Sequence, residues 1–164
     1  AVIVSIVITL TAPLLFKAPL PVDWGGFILA ILLIAFATAG IGVLIGVISP
    51  SSNLTVLFTQ LIYLPSMMLG GITLPTNMLP PAVAKIAHIF PATHGMNLFQ
   101  KLAYQGTTTI SATGSIVVLL TGGLLCFGLA LFLFRWDSRN TPWRANPLVA
   151  LLVLLPYALS IFIL

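Results

Sequence analysis

The chain is almost without acid: among its 164 residues the carboxylates are Asp23 and Asp137 alone. Each lies in a polar turn between apolar runs, so they form neither a general acid/base pair nor a two-carboxylate metal site. Charge of any kind is scarce, at 5% of residues, where a soluble domain carries roughly a quarter. The net charge of +4 is too thinly spread to suggest a nucleic-acid partner, and the basic residues read instead as topology signals. A single cysteine, Cys126, excludes a disulfide framework and a cysteine metal cluster. It reads as a small core or lipid-facing residue. His88 and His94 flank Pro91 with no acid or cysteine near them; zinc needs about three or four convergent ligands, so both read as interface histidines. No phosphate-binding loop of the form GxxxxGK[ST] occurs. No ionisable residue falls in the middle of an apolar run, which argues against a proton- or sodium-driven carrier. An intramembrane enzyme would need polar side chains converging within the spans, and none do. No catalytic, cofactor or metal residue is therefore assigned, and the chain is read as no enzyme.

What is present is apolar: 60% hydrophobic residues and a mean hydropathy of +1.21. A fold of this size could not cover a water-facing surface with so few charges. The expectation is an all-α integral membrane protein of about five transmembrane helices plus a re-entrant or interfacial helical hairpin. The expected spans are 1–16, 24–48, 54–74 and 116–134, followed by an apolar stretch from Pro147 to Leu164. The first is shorter than the roughly 20 residues of a perpendicular crossing. The chain opens on Ala1 inside that run, so a longer natural protein is expected. Lys17, Pro19, Pro21 and Asp23 make a polar turn, and Trp24 marks the water interface. Gly42 and Gly46, four residues apart in the second span, form a small-xxx-small pair and are the candidate helix contact. Pro65 breaks the third span and frees a carbonyl where the helix bends.

The stretch from Leu69 to Gln105 organises the rest. It carries Pro75, Pro80, Pro81 and Pro91, each of which removes an amide donor and stops a long helix. Two short helices remain. Pro81 to Phe90 would set Val83, Ile86, Ala87 and Phe90 on one face, and Ala92 to Tyr104 would set Met96, Phe99, Leu102 and Ala103 on one face. Lys85, His88 and Lys101 fall on the other sides. A broken backbone at membrane depth is tolerated only against protein or a water-filled cavity, so a hairpin over 75–105 is placed beside a pathway. Arg135 to Arg144 holds three arginines, which puts that loop in the cytoplasm by the positive-inside rule. By parity the turn at 49–53 is cytoplasmic as well and the hairpin lies outside.

The run MMLGGITLP, the P-x-x-x-x-P-P turn from Pro75 to Pro81, and FPATHGMNLFQKL together resemble the membrane subunit of type 2 ATP-binding-cassette exporters. Gly42, Gly46 and Pro50 are similar to the preceding span and turn of that family. The resemblance covers about 1–139 and corresponds to the C-terminal portion of a permease domain; 140–164 is an extra C-terminal transmembrane segment. Two departures are visible: Gln100-Lys101 stands where the family usually has arginine, and the family usually ends after its final core span. The resemblance implies a permease subunit of an ATP-driven exporter, forming the substrate path while a separate ATP-binding-cassette ATPase subunit binds and hydrolyses ATP. It implies a homodimer or heterodimer of permease subunits in membrane lipid, multi-pass, in a bacterial or archaeal plasma membrane. Gly70, Gly71, Pro75, Pro80, Pro91 and His94 are then the candidate gate or hairpin residues. The alternative is a non-transporting membrane scaffold or assembly subunit.

Overall fold

The computed structural model describes residues 2–17, 19–71, 79–106, 108, 110–134 and 151–163. Its elements are α1 (Val2–Phe16), α2 (Trp24–Ile48), α3 (Ser52–Leu69), α4 (Pro81–Ala87), α5 (Pro91–Leu98), a π-helical turn (Phe99–Ala103), α6 (Ala112–Leu133) and α7 (Leu154–Ile163). Among the described residues there is no strand, and the chain is an all-α membrane protein. Pro75 and the arginine-rich loop lie outside the described residues.

Sequence explains where the helices begin. Asp23, extended at the end of a proline-rich turn, accepts a hydrogen bond from the Gly25 amide at 2.9 Å and starts α2. Ser51 and Ser111 do the same for α3 and α6, through the amides of Leu54 and Gly114. A side-chain oxygen at this position satisfies one of the amides that an α-helix leaves unpaired at its start. These caps start two helices ahead of the expected spans. The helix of the third span begins at Ser52 and runs to Leu69, followed by Gly71 with a left-handed φ of 81°; positions 72–74 of the expected 54–74 lie outside the described residues. The fourth begins at Ala112, since Ser111 caps a turn that composition alone assigns to a loop. Of the five expected crossings, α2 and α6 have the length and apolarity for one on their own, with mean hydropathies of 2.8 and 2.6. α1 and α7 are shorter, and α3 carries Asn53, Thr55, Thr59, Gln60 and Ser66 among its apolar residues.

α2 and α6 pair along their length and make the core. Phe27, Ala30, Leu33, Ala37 and Leu44 are buried on α2; Val118, Leu119, Cys126 and Ala130 are buried on α6. The two backbones meet at glycine. A Cβ on Gly40 would stand 3.0 Å from Cys126 Cβ and 3.1 Å from the Gly123 carbonyl oxygen, and one on Gly123 would meet the Phe36 ring. Small residues let membrane helices approach to backbone distance, where dispersion contacts substitute for the missing hydrophobic drive. At Gly42 and Gly46, the candidate helix contact, nothing among the described residues lies within 4 Å of where their Cβ atoms would be. In a helix these two fall on a different face from Gly40, and within the described chain that face is open.

Candidate functional site

Pro80 and Pro81 open α4, and Pro91 opens α5 at its first position, where the missing amide costs nothing and the fixed φ suits a helix. Residues 88–90 form a turn between them, so the first short helix stops at Ala87 instead of running to Phe90. The second runs as α-helix only to Leu98 and then widens into the π turn. A π turn places its carbonyls out of register with the α ladder, and the Ala103 carbonyl accepts from the Val22 amide at 2.7 Å. The hairpin is thereby stitched to the turn that precedes α2. Lys101, expected on an open side, donates from Nζ to the Ile110 carbonyl at 2.6 Å and closes the loop into α6.

Glycines bring the hairpin against the core. A Cβ on Gly26 would lie 2.7 Å from the Leu102 carbonyl oxygen, and one on Gly95 would lie 2.7 Å from Ile34 Cγ1. Phe27 and Phe99 stack at 5.2 Å between ring centroids. Asn97 is buried and donates to Ser115 Oγ of α6 at 2.8 Å. Thr93 donates to the Ala87 carbonyl at 2.5 Å and ties α5 back to α4. The predicted faces are met in part: Ala87 and Ala103 are buried, whereas Ile86 is 52% exposed; Leu98, outside both predicted faces, is buried too.

Of the candidate gate residues, Gly70, Gly71, Pro91 and His94 are buried together around the start of α5. Gly70 has no room for a side chain, because a Cβ would lie 2.8 Å from Ala92 Cβ. Pro80 is exposed at the start of α4, and Pro75 lies outside the described residues. His94 corrects the reading of an interface histidine: it is fully buried, its Nε2 2.9 Å from the His88 carbonyl oxygen. Loss of solvent holds its pKa down to about 4, against the favourable hydrogen bond it donates to the His88 carbonyl. His88 is half-buried, and its pKa is lowered by the same cause. Sequence gave no signal of this burial, since the element that covers His94 is α7.

The hairpin floors a divided cleft between α2 and α3. One chamber, about 480 Å³, lies between Ile34, Thr38, Ile41, Ile62, Ser66 and Met96. A second, about 600 Å³, lies nearer the other end, between Leu44, Ile48, Leu54, Phe58 and Phe90. Both are apolar, with hydroxyls from Thr38, Thr59, Tyr63 and Ser66 in the first. Thr38 and Thr59 spend theirs on their own helix, donating to the carbonyls of Ile34 and Thr55. Ser66 Oγ is buried without a partner. Gly42 opens onto this chamber; its missing side chain widens the cleft and meets no helix among the described residues. Among the described residues no group of three or more metal-ligating side chains exists. The site offers shape and apolar surface, and its chemistry is that of accommodation.

Comparison with known proteins agrees with this geometry. Residues 1–104 match the family described as ABC-2 type transporter. Over 137 residues the chain is 32% identical to the inner membrane transport permease YhhJ of Escherichia coli (strain K12), covering 81% of this chain and 37% of that protein. The permease of the same name from Shigella flexneri matches to the same extent. The chain thus spans 37% of the length of these curated relatives. No solved structure matches it significantly.

Proposed function

We propose that this chain, which belongs to the ABC-2 type transporter family, forms part of the membrane-spanning permease subunit of an ATP-driven exporter. The observation that carries the reading is the hairpin itself. Its backbone is broken by prolines, yet it is buried against α2 and α6 and floors an apolar cleft. Such a backbone persists in a membrane only where protein or a cavity satisfies it. The match to a permease over 81% of the chain supports the same reading.

In this reading ATP binds on a separate ATPase subunit, and this chain needs no cofactor. The turn at Ser49–Asn53 and the loop at 135–144 lie in the cytoplasm, and the hairpin lies on the outer side of a plasma membrane. Two permease subunits enclose the path. ATPase closure rocks the spans while Gly70, Gly71, Pro75, Pro80, Pro91 and His94 set the exit. An apolar cleft lined by a few hydroxyls suits a hydrophobic or amphiphilic cargo.

The test is purification of the full-length protein from its native membranes in mild detergent, with every co-purifying chain identified. Recovery of a nucleotide-binding ATPase in comparable amount, followed by ATP-dependent export in reconstituted vesicles, is expected. Absence of such an ATPase, in a detergent that keeps a known exporter intact, would overturn the reading in favour of a membrane scaffold.

A further inference from the structure

His88, His94, Tyr157 and Ser160 make a polar knot in an apolar seam. α7 is keyed to α6 by Tyr157, whose ring lies over Gly122; a Cβ there would stand 2.6 Å from the ring Cζ. One turn on, Ser160 is 2% exposed and donates to the Tyr157 carbonyl at 2.6 Å. Its lone pairs then lie 3.3 Å from His94 Nε2. That nitrogen also faces the His88 carbonyl at 2.9 Å, an acceptor, so Nε2 carries the proton and donates. Among the described residues, Nδ1 of His94 is left as a buried lone pair without a partner, as is Nδ1 of His88. Among the described residues, the titratable groups around His94 are the His88 ring at 6.0 Å, from the turn after α4, and the Tyr157 ring at 6.2 Å, from α7. α2, α3, α6 and α7 contain no charged residue, Lys85 is exposed on α4, and Lys101 is engaged at Ile110.

We propose that this knot is an acid-sensitive clasp: neutral His94 holds α7 against the hairpin, and protonation of His94 releases it. A proton on Nδ1 would create a buried cation whose new N–H has no acceptor among the described residues. A buried charge without a partner is far costlier than a solvated one. Water becomes its partner only when α7 lifts. The clasp stands on the geometry of this chain alone, whatever cargo or ATPase the protein uses.

The sign and size follow from linkage. With His94 held near 4 in the closed state and near the ordinary 6.5 once exposed, the open state binds protons more readily between those values. Closure is therefore fully favoured above pH 6.5 and weakens as pH falls toward 4. The open fraction should rise about thirtyfold between pH 7.5 and pH 5.

Hydrogen–deuterium exchange on the full-length protein in lipid nanodiscs reads this directly, with rates corrected for the intrinsic pH dependence of amide exchange. Peptides spanning residues 88–98 and 153–163 should lose at least tenfold protection between pH 7.5 and pH 5, while the middle of α2 stays protected. His94→Gln keeps a donor near the Nε2 position and cannot titrate, so its response should shrink to the remainder supplied by half-buried His88, whose ring bonds the Ser160 backbone. His88→Gln should retain the response. Ser160→Ala should open the clasp about fivefold at both pH values without changing the slope. A flat wild type, or an undiminished response in His94→Gln, overturns the proposal. Should His94→Gln fail to fold, exchange of the His94 ring C2 hydrogen in the unmutated protein decides: titration near 4 is expected, and titration near 6.5 refutes the clasp.

Discussion

α6 and α3 are both apolar, helical and next to α2, yet they meet it differently. α6 buries Ser115, Val118, Leu119, Gly122, Gly123, Cys126 and Ala130. α3 buries Ser66 alone and leaves Leu57, Leu61, Tyr63, Leu64 and Met68 more than half exposed. α6 is the more apolar, since α3 carries Asn53, Thr55, Thr59, Gln60 and Ser66, and residue size separates them as well. α6 offers glycine, cysteine and alanine at the seam, and α2 answers with Gly40 and Ala37. The body of α3 carries leucine, phenylalanine, tyrosine and methionine, which hold its backbone away and leave the two chambers between. In a bilayer a large apolar side chain gains little by leaving lipid for protein, so close approach decides which helices pack. The lesson is that the rigid and the open sides of α2 are written in its small residues.

The comparison can be broken from the tight side. Gly123→Leu drives a side chain into the Phe36 ring and should destabilise the folded protein by about 3 kcal/mol, at the upper end for overpacking. Thermal unfolding in detergent checks it, and an unchanged melt would mean that α2 and α6 do not pack as described. Next comes the hairpin: Gly26→Val meets the Leu102 backbone, which cannot rotate away, and should cost about 2 kcal/mol. It should also raise amide exchange over residues 99–104 while α6 remains protected.

Smaller effects sharpen the picture. Ser115→Ala strands the Asn97 amide, whose Oδ1 already lacks a partner, and should cost about 1 to 2 kcal/mol. The double variant with Asn97→Leu should recover part of that loss, because both polar groups are then gone. Gly42→Ala meets nothing within 4 Å and should stabilise α2 by a few tenths to about 1 kcal/mol. A measurable loss in native membranes, absent from the isolated chain, would show that another subunit covers this face. Tyr157→Phe removes a buried hydroxyl that has no partner and should leave the melt unchanged or slightly raised.

Much of this molecule is legible in the chain. Scarce charge identifies the solvent. Asp23, Trp24 and Ser49 bound α2, which runs over 24–48 as the apolar run predicts. Pro80, Pro81 and Pro91 announce two short helices, and the motif MMLGGITLP with FPATHGMNLFQKL points to the family before any fold is seen. Other features are silent. Gly42 and Gly46 have the spacing of a contact pair, while the glycines that touch, Gly40 and Gly123, lie 83 positions apart on different helices. Nothing in the spacing of His94 marks it for burial. The closing segment looks like an appendage until Tyr157 is seen against Gly122.

The solvent, the number and rough extent of the apolar runs, the breaks in the hairpin and the family can all be read from the residues in order. These are local or compositional properties, set by hydration of side chains and by proline and glycine backbone chemistry. Which face of α2 is packed and which is open, why α3 stands off, and that α7 seals His94 become visible once the helices are assembled. The physical reason is that these helices are apolar all round. Periodicity tells protein from water on a soluble helix, but it cannot tell protein from lipid; that choice is made by shape, where two backbones can come close enough to touch.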